Sequence, residues 1–108
     1  MKHRIERVNS LIKEELGKII LKEMELDGAL VTITDIRASK NLTQAVVGIS
    51  VIPSSKAGAA LKMIAKNAPY LQSLLAKNIV LRPMPKIIFE LDRGLEKAAR
   101  VEELLRKE

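Results

Sequence analysis

The chemistry most plainly written in this sequence is cationic. Between Asp35 and Glu90 the chain has no carboxylate at all, yet that stretch holds Arg37, Lys40, Lys56, Lys62, Lys66, Lys77, Arg82 and Lys86. The whole chain carries a net charge of +6, so this acid-free half holds more than the entire excess and the remainder is slightly acidic. Surface lysines are commonly solvated bystanders, but segregation on this scale points to a face that meets a polyanion. Other chemistry is sparse. The single histidine, His3, stands at the N-terminus without a second histidine or a cysteine to complete a zinc site or a nucleophile–base pair. Paired carboxylates such as Glu14-Glu15 and Glu102-Glu103 fall in helical patterns beside lysines, where they read as solvated faces. No phosphate-binding loop or dinucleotide fingerprint occurs. A binding protein is therefore expected, not an enzyme, with no cofactor, no metal and no small-molecule substrate.

The nature of the binding is constrained by what is missing. Tyr70 and Phe89 are the only aromatic residues, so base stacking on an aromatic platform is excluded on any scale. Phe89 lies in an alternating pattern and is expected in the core; Tyr70 is open to either core or surface. Recognition should rest on phosphate contacts and shape, and should weaken with salt. Charge alone leaves three partner classes open: RNA, DNA or an acidic protein surface.

The elements that position these cations follow from periodicity. From Arg4 to about Met24, Ile5, Val8, Leu11, Ile12, Leu16, Ile19 and Ile20 recur at helical spacing, and Asp27-Gly28 supplies a stop. Leu30 to Ala38 is rich in β-branched residues. Leu42 to Ile52 alternates, with Ala45, Val47, Ile49 and Val51 on one face. The polar Ser39-Lys40-Asn41 between them suits a hairpin, and Pro53 should end the pairing. Ser54 or Ser55 can cap a helix carrying Ala57, Ala60, Leu61 and Ile64. Asn67-Ala68-Pro69 must kink or break it. A further helix then buries Leu71, Leu74 and Leu75 and leaves Gln72 and Lys77 outward. Arg82-Pro83-Met84-Pro85 cannot be helix interior. Lys86 to Asp92 reads as a third strand, and Leu95 to about Lys107 as a last helix. The expectation is one domain over residues 1–108: a two-layer α+β fold with a three-stranded sheet and helices on one face.

Neither a membrane-length apolar run nor a secretory h-region is seen, because Glu6, Arg7, Asn9 and Ser10 interrupt the N-terminus. No cysteine means no disulfide framework. A cytoplasmic location is expected.

At this point the residues resemble a known family. Arg4-Ile5-Glu6-Arg7-Val8, Val31-Thr32-Ile33-Thr34-Asp35-Ile36, Leu42-Thr43-Gln44-Ala45-Val46-Val47 and, most specifically, Leu81-Arg82-x-x-Pro85-x-x-x-Phe89 are similar in order and spacing to ribosome-binding factor A, a bacterial family. The resemblance implies a type II KH-like domain, order αββααβ plus a C-terminal helix. It implies a monomer that binds the immature 30S subunit through its 16S rRNA and assists late maturation, especially in the cold. KH domains clamp nucleic acid with a GXXG loop; this chain has none, and Asn67-Ala68-Pro69 stands in its place. Gln72 stands where the family commonly has arginine. The RNA-binding residues expected on this basis are Arg4, Arg7, Lys62, Lys66, Asn67, Gln72, Lys77, Arg82 and Lys86. Arg82 has a second reading, an ion pair with Asp92 or a helix carboxylate.

Overall fold

The computed structural model of the protein describes residues 4–92. Helix α1 spans Arg4–Glu23, strand β1 Leu30–Ala38, strand β2 Gln44–Ile52, helix α2 Ala57–Lys66, helix α3 Ala68–Asn78 and strand β3 Lys86–Leu91. The order αββααβ and the two-layer architecture agree with the sequence reading; the expected last helix lies outside the described residues. The sheet runs β1-β2-β3. β1 and β2 are antiparallel, and β3 joins β2 in parallel with Gln44 opposite Lys86 and Ile49 opposite Leu91.

The 3.6-residue pattern of α1 buries Val8, Ile12, Leu16, Ile19 and Ile20. At roughly 1.5–3 kcal/mol for each fully buried aliphatic side chain, that stripe anchors the helix to the rest of the core. Leu11 corrects the expected face, since it lies at the margin and is 36% exposed. From β2, Ala45, Val47, Ile49 and Val51 face the helices, joined by Ile87 and Phe89 of β3 and by Ile64, Leu71 and Leu75 of α2 and α3. The other sheet face has no helix against it among the described residues: Leu30 and Ile52, paired at the sheet's end, are 57% and 62% exposed.

Several boundaries differ from the periodic reading, each for a local reason. α1 ends at Glu23. Asp27 and Gly28 both have positive φ (50° and 77°) and turn the chain into β1, with the Ala29 N–H donating to the Leu26 carbonyl. The Lys56 ammonium donates to the Asp27 carbonyl and ties this turn to the start of the helical pair. Leu42 has a φ of 57° and falls in the turn instead of in β2. That turn is held by Ser39, whose hydroxyl accepts from the N–H groups of Thr43 and Gln44. The serine cap expected before α2 is absent: residues 54–56 form a short 3-10 turn, and no side chain caps either it or α2. β1 carries a bulge, with a register shift between Ile33 and Asp35.

Candidate nucleic-acid interface

Two ends of the sheet must be distinguished to place the cations. The Asn9 side chain accepts from the Ala38 N–H at 3.1 Å, which sets the N-terminal half of α1 beside the β1–β2 turn. The parallel register, together with the Lys86 N–H donating to the Thr43 carbonyl at 3.0 Å, brings the start of β3 to that same end. Arg7, Lys40 and Lys86 are thus gathered at the turn end, with Arg4 one helical turn before Val8 and Arg82 in the loop leading to Lys86. All five are exposed.

Lys62 and Lys66 sit one turn apart on the exposed side of α2 and flank the kink. The kink itself is built from sequence-local chemistry. Asn67 ends α2, its side-chain amide donating to the Met63 carbonyl at 2.8 Å. Its own carbonyl then accepts the first α3 bond, from the Leu71 N–H at 2.9 Å. Pro69 occupies the first turn of α3, where its missing N–H leaves no bond unmade. A shallow groove joins this kink to the edge strand. Ala68, Pro69, Ser73 and Ala76 of α3 line one wall, and Met84, Lys86 and Ile87 the other. Lys77 projects from the exposed last turn of α3.

Gln72 is the residue whose expected outward position the structure corrects. It is half-buried at the floor of this groove. Its side-chain N–H donates to the Pro85 carbonyl at 3.0 Å, and its side-chain oxygen accepts from the Ile87 N–H at 3.1 Å. Both ends of the amide are engaged by backbone, so the side chain is not free to contact RNA as its place in the pattern suggested. Asn67, with its amide turned onto Met63, is likewise employed in shaping the kink.

Charge pairing sorts the acid-free stretch into two groups. Asp35 and Glu90, the two carboxylates that bound it in sequence, meet across the sheet at Arg37: the guanidinium pairs with Asp35 at 3.3 Å and with Glu90 on β3. This network lies on the open sheet face and, with two carboxylates to one guanidinium, leaves it locally with a net negative charge. It fits there only because β2 has glycine at position 48; a Cβ on Gly48 would fall 2.3 Å from the Asp35 carboxylate. Among the described residues, Lys40, Lys62, Lys66, Lys77, Arg82 and Lys86 form no ion pair with a carboxylate. Among the described residues Arg82 accordingly shows neither the Asp92 pair nor the helix-carboxylate pair of its second reading. These six cations have no anionic partner among the described residues. They are not all on one face: Lys86 alternates with buried Ile87 and stands at the exposed edge of the sheet, while Lys62 and Lys66 belong to the helical layer.

Two neighbouring features were not foreseen from sequence. Tyr70 is surface-exposed, and its hydroxyl donates to Glu23 at the end of α1 at 3.3 Å. The negative charge of Glu23, with some burial and this hydrogen bond, holds the phenol above its ordinary pKa. The amide bridge of Gln72 was the second; no local signal marks it, because its partners lie 13 and 15 residues away. Among the described residues no group of three or more His, Cys, Asp or Glu side chains could hold a metal ion, and no helix is long and apolar enough to cross a membrane.

Residues 4–105 match the model of a family described as ribosome-binding factor A. The ribosome-binding factor A of Chlorobium limicola is 36% identical over 110 residues, a match covering 99% of this chain and 92% of that protein. The fold is similar to the solution structure of a Thermotoga maritima protein described as a putative ribosome-binding factor A, with a TM-score of 0.72 at 23% identity over 87% of this chain and 92% of that one. It is also similar to a homology model of the Thermus thermophilus factor fitted into the cryo-electron-microscopy map of its complex with the 30S subunit. That likeness has a TM-score of 0.66 at 22% identity over 79% of this chain and 91% of that one.

Proposed function

This chain belongs to the ribosome-binding factor A family, and from that premise we propose that it binds the small ribosomal subunit through 16S rRNA and assists late rRNA maturation, most importantly in the cold. It acts in the cytoplasm as a single chain, by binding and without catalysis of its own. The observation that carries the reading is the set of six cations, around the kink, the groove and the start of β3, that form no ion pair among the described residues, while the acids bounding the stretch are engaged by Arg37. An RNA backbone supplies the anions these cations lack, and nearly every base-stacking alternative is closed by the scarcity of aromatics. Lys62, Lys66 and Lys77 contact phosphates from the helical pair, Arg82 and Lys86 from the loop and edge strand, and Arg4 and Arg7 from the first turns of α1. Specificity then comes from fitting a folded RNA on a large particle. A structural neighbour supports the partner: the homology model of the Thermus thermophilus factor was fitted into the map of its complex with the 30S subunit.

The test is charge reversal of Lys62, Lys66 and Lys77 together, read by co-sedimentation with isolated small subunits at physiological salt. Loss of binding with unchanged folding is expected. Unchanged binding would show that the helical pair does not face the RNA. Nuclease treatment of the subunits separates the reading from an acidic protein partner, whose binding would survive.

A further inference from the structure

The loop between α3 and β3 is pinned at both ends and exposes part of its middle, while Leu81 and Met84 pack partly against the core. Ile79 is buried, and its N–H donates to the Leu75 carbonyl at 3.0 Å. Pro85 is fully buried. Between them Val80 is 86% exposed and Arg82 and Pro83 are exposed, so Arg82 rides at the centre of a short projecting segment. Where this segment re-enters the fold, β3 is an edge strand, paired on one side with β2 alone. Lys86 uses its N–H on the β2 side, toward the Thr43 carbonyl. The groups on either side of it, the Pro85 carbonyl and the Ile87 N–H, face outward. Both are taken by the amide of Gln72, which offers one donor and one acceptor as a neighbouring strand would. The backbone around Lys86 is thereby gripped from both sides, and the loop carrying Arg82 is anchored one residue before it.

We infer that Gln72 is a positioning residue for RNA binding: its amide bridge fixes the Arg82–Lys86 segment so that the two cations are held in place before RNA arrives, and Gln72 itself touches no RNA. The inference rests on the RNA-binding reading of the previous subsection. An arginine at this position would bring a charge but no acceptor for the Ile87 N–H. Locking matters because ordering mobile side chains and loop on association weakens binding. A residue acting this way changes affinity without changing the number of phosphates neutralised.

The experiment compares the full chain with its Gln72→Met and Ile33→Val variants. Methionine keeps the size of the side chain and removes both bonds. Ile33→Val trims a core side chain of β1, the opposite edge strand, which carries none of the cations assigned to RNA. Three readouts are taken: urea midpoint, Ile87 amide hydrogen exchange, and small-subunit affinity across a salt series. In Gln72→Met the Ile87 amide should exchange at least about tenfold faster, and affinity should fall roughly three- to tenfold. The slope of log affinity against log salt should stay unchanged, because no cation has been removed. Ile33→Val should lose some stability and keep its affinity. Equal affinity losses in the two variants would reduce Gln72 to a structural residue. A slope lower by about one phosphate contact would mean that the change disturbed a direct contact, and unchanged Ile87 exchange would mean that the bridge does not hold the strand; either overturns the inference. Failure of the unaltered chain to bind subunits would overturn the RNA reading as well, whereas its binding with equal loss in both variants would overturn only the role of Gln72.

Discussion

Gly48 is where the backbone of the sheet and its charge network meet, and replacing it with alanine makes a prediction that can be worked from distances. A Cβ there would lie 2.3 Å from Asp35 Oδ1, 3.0 Å from Thr34 Oγ1 and 3.5 Å from Asp35 Cγ. The carboxylate oxygen must therefore retreat by more than 1 Å to reach ordinary van der Waals contact, about 3.4 Å in proteins. Asp35 is half-exposed and can rotate away, but doing so breaks its pairing with Arg37. An exposed ion pair contributes about 0–1 kcal/mol. Crowding of the Thr34 hydroxyl, which is buried without a hydrogen-bond partner, adds about 1 kcal/mol if a strained rotamer results. Alanine in a strand returns roughly 0.5–1 kcal/mol relative to glycine. The net expectation is a destabilisation of about 1 kcal/mol, read as a shift in the urea midpoint with an unchanged slope. The discriminating arm is a double-mutant cycle with Asp35→Ala. With the carboxylate gone, Gly48→Ala should be neutral or mildly stabilising, a coupling of about 1 kcal/mol. The same penalty in both backgrounds would refute the claim that Asp35 is what requires glycine at 48.

Other expectations follow from the core and the surface. Leu71→Ala removes a fully buried side chain and should destabilise the fold by about 2–5 kcal/mol, measured by urea unfolding. Tyr70 is the only tyrosine, so ultraviolet absorbance reports its ionisation directly. Its midpoint should lie above 10.0, chiefly because of the Glu23 charge, and Glu23→Gln should bring it down. The sign for stability follows: above pH 10 the unfolded chain releases the phenolic proton before the folded one does. Stability should therefore fall as pH rises from the unfolded to the folded pKa, and less so in Glu23→Gln.

The elements legible in sequence were those with strong local causes. The α1 stripe, the alternation from Ala45 to Val51 and the helix break before Pro69 each reflect a period or a forbidden dihedral, and all appear in the fold. The details that escaped are set by partners distant along the chain. Nothing near Thr34 announces a bulge; it arises as β1 pairs with β2 around Gly48. Ser54 and Ser55 have good capping chemistry, but the chain there forms a tight 3-10 turn that leaves neither hydroxyl a capping bond. The candidate site was legible as charge and not as geometry. The absence of acids between Asp35 and Glu90 was plain in the sequence, but sequence could not show that those two acids converge on Arg37, 53 positions from Glu90. Gln72 looked outward because its neighbours on α3 do; only the approach of β3 turns it in.

The most direct measurement is co-sedimentation of the purified protein with isolated small ribosomal subunits across a salt series, with large subunits as the control. The account predicts selective binding to small subunits that weakens steadily as salt rises, each phosphate contact contributing roughly 0.7–0.9 to the slope of log affinity against log salt. Equal binding to both subunits, or none to either, would contradict it and leave the six cations of the acid-free stretch with no more than a general affinity for polyanions.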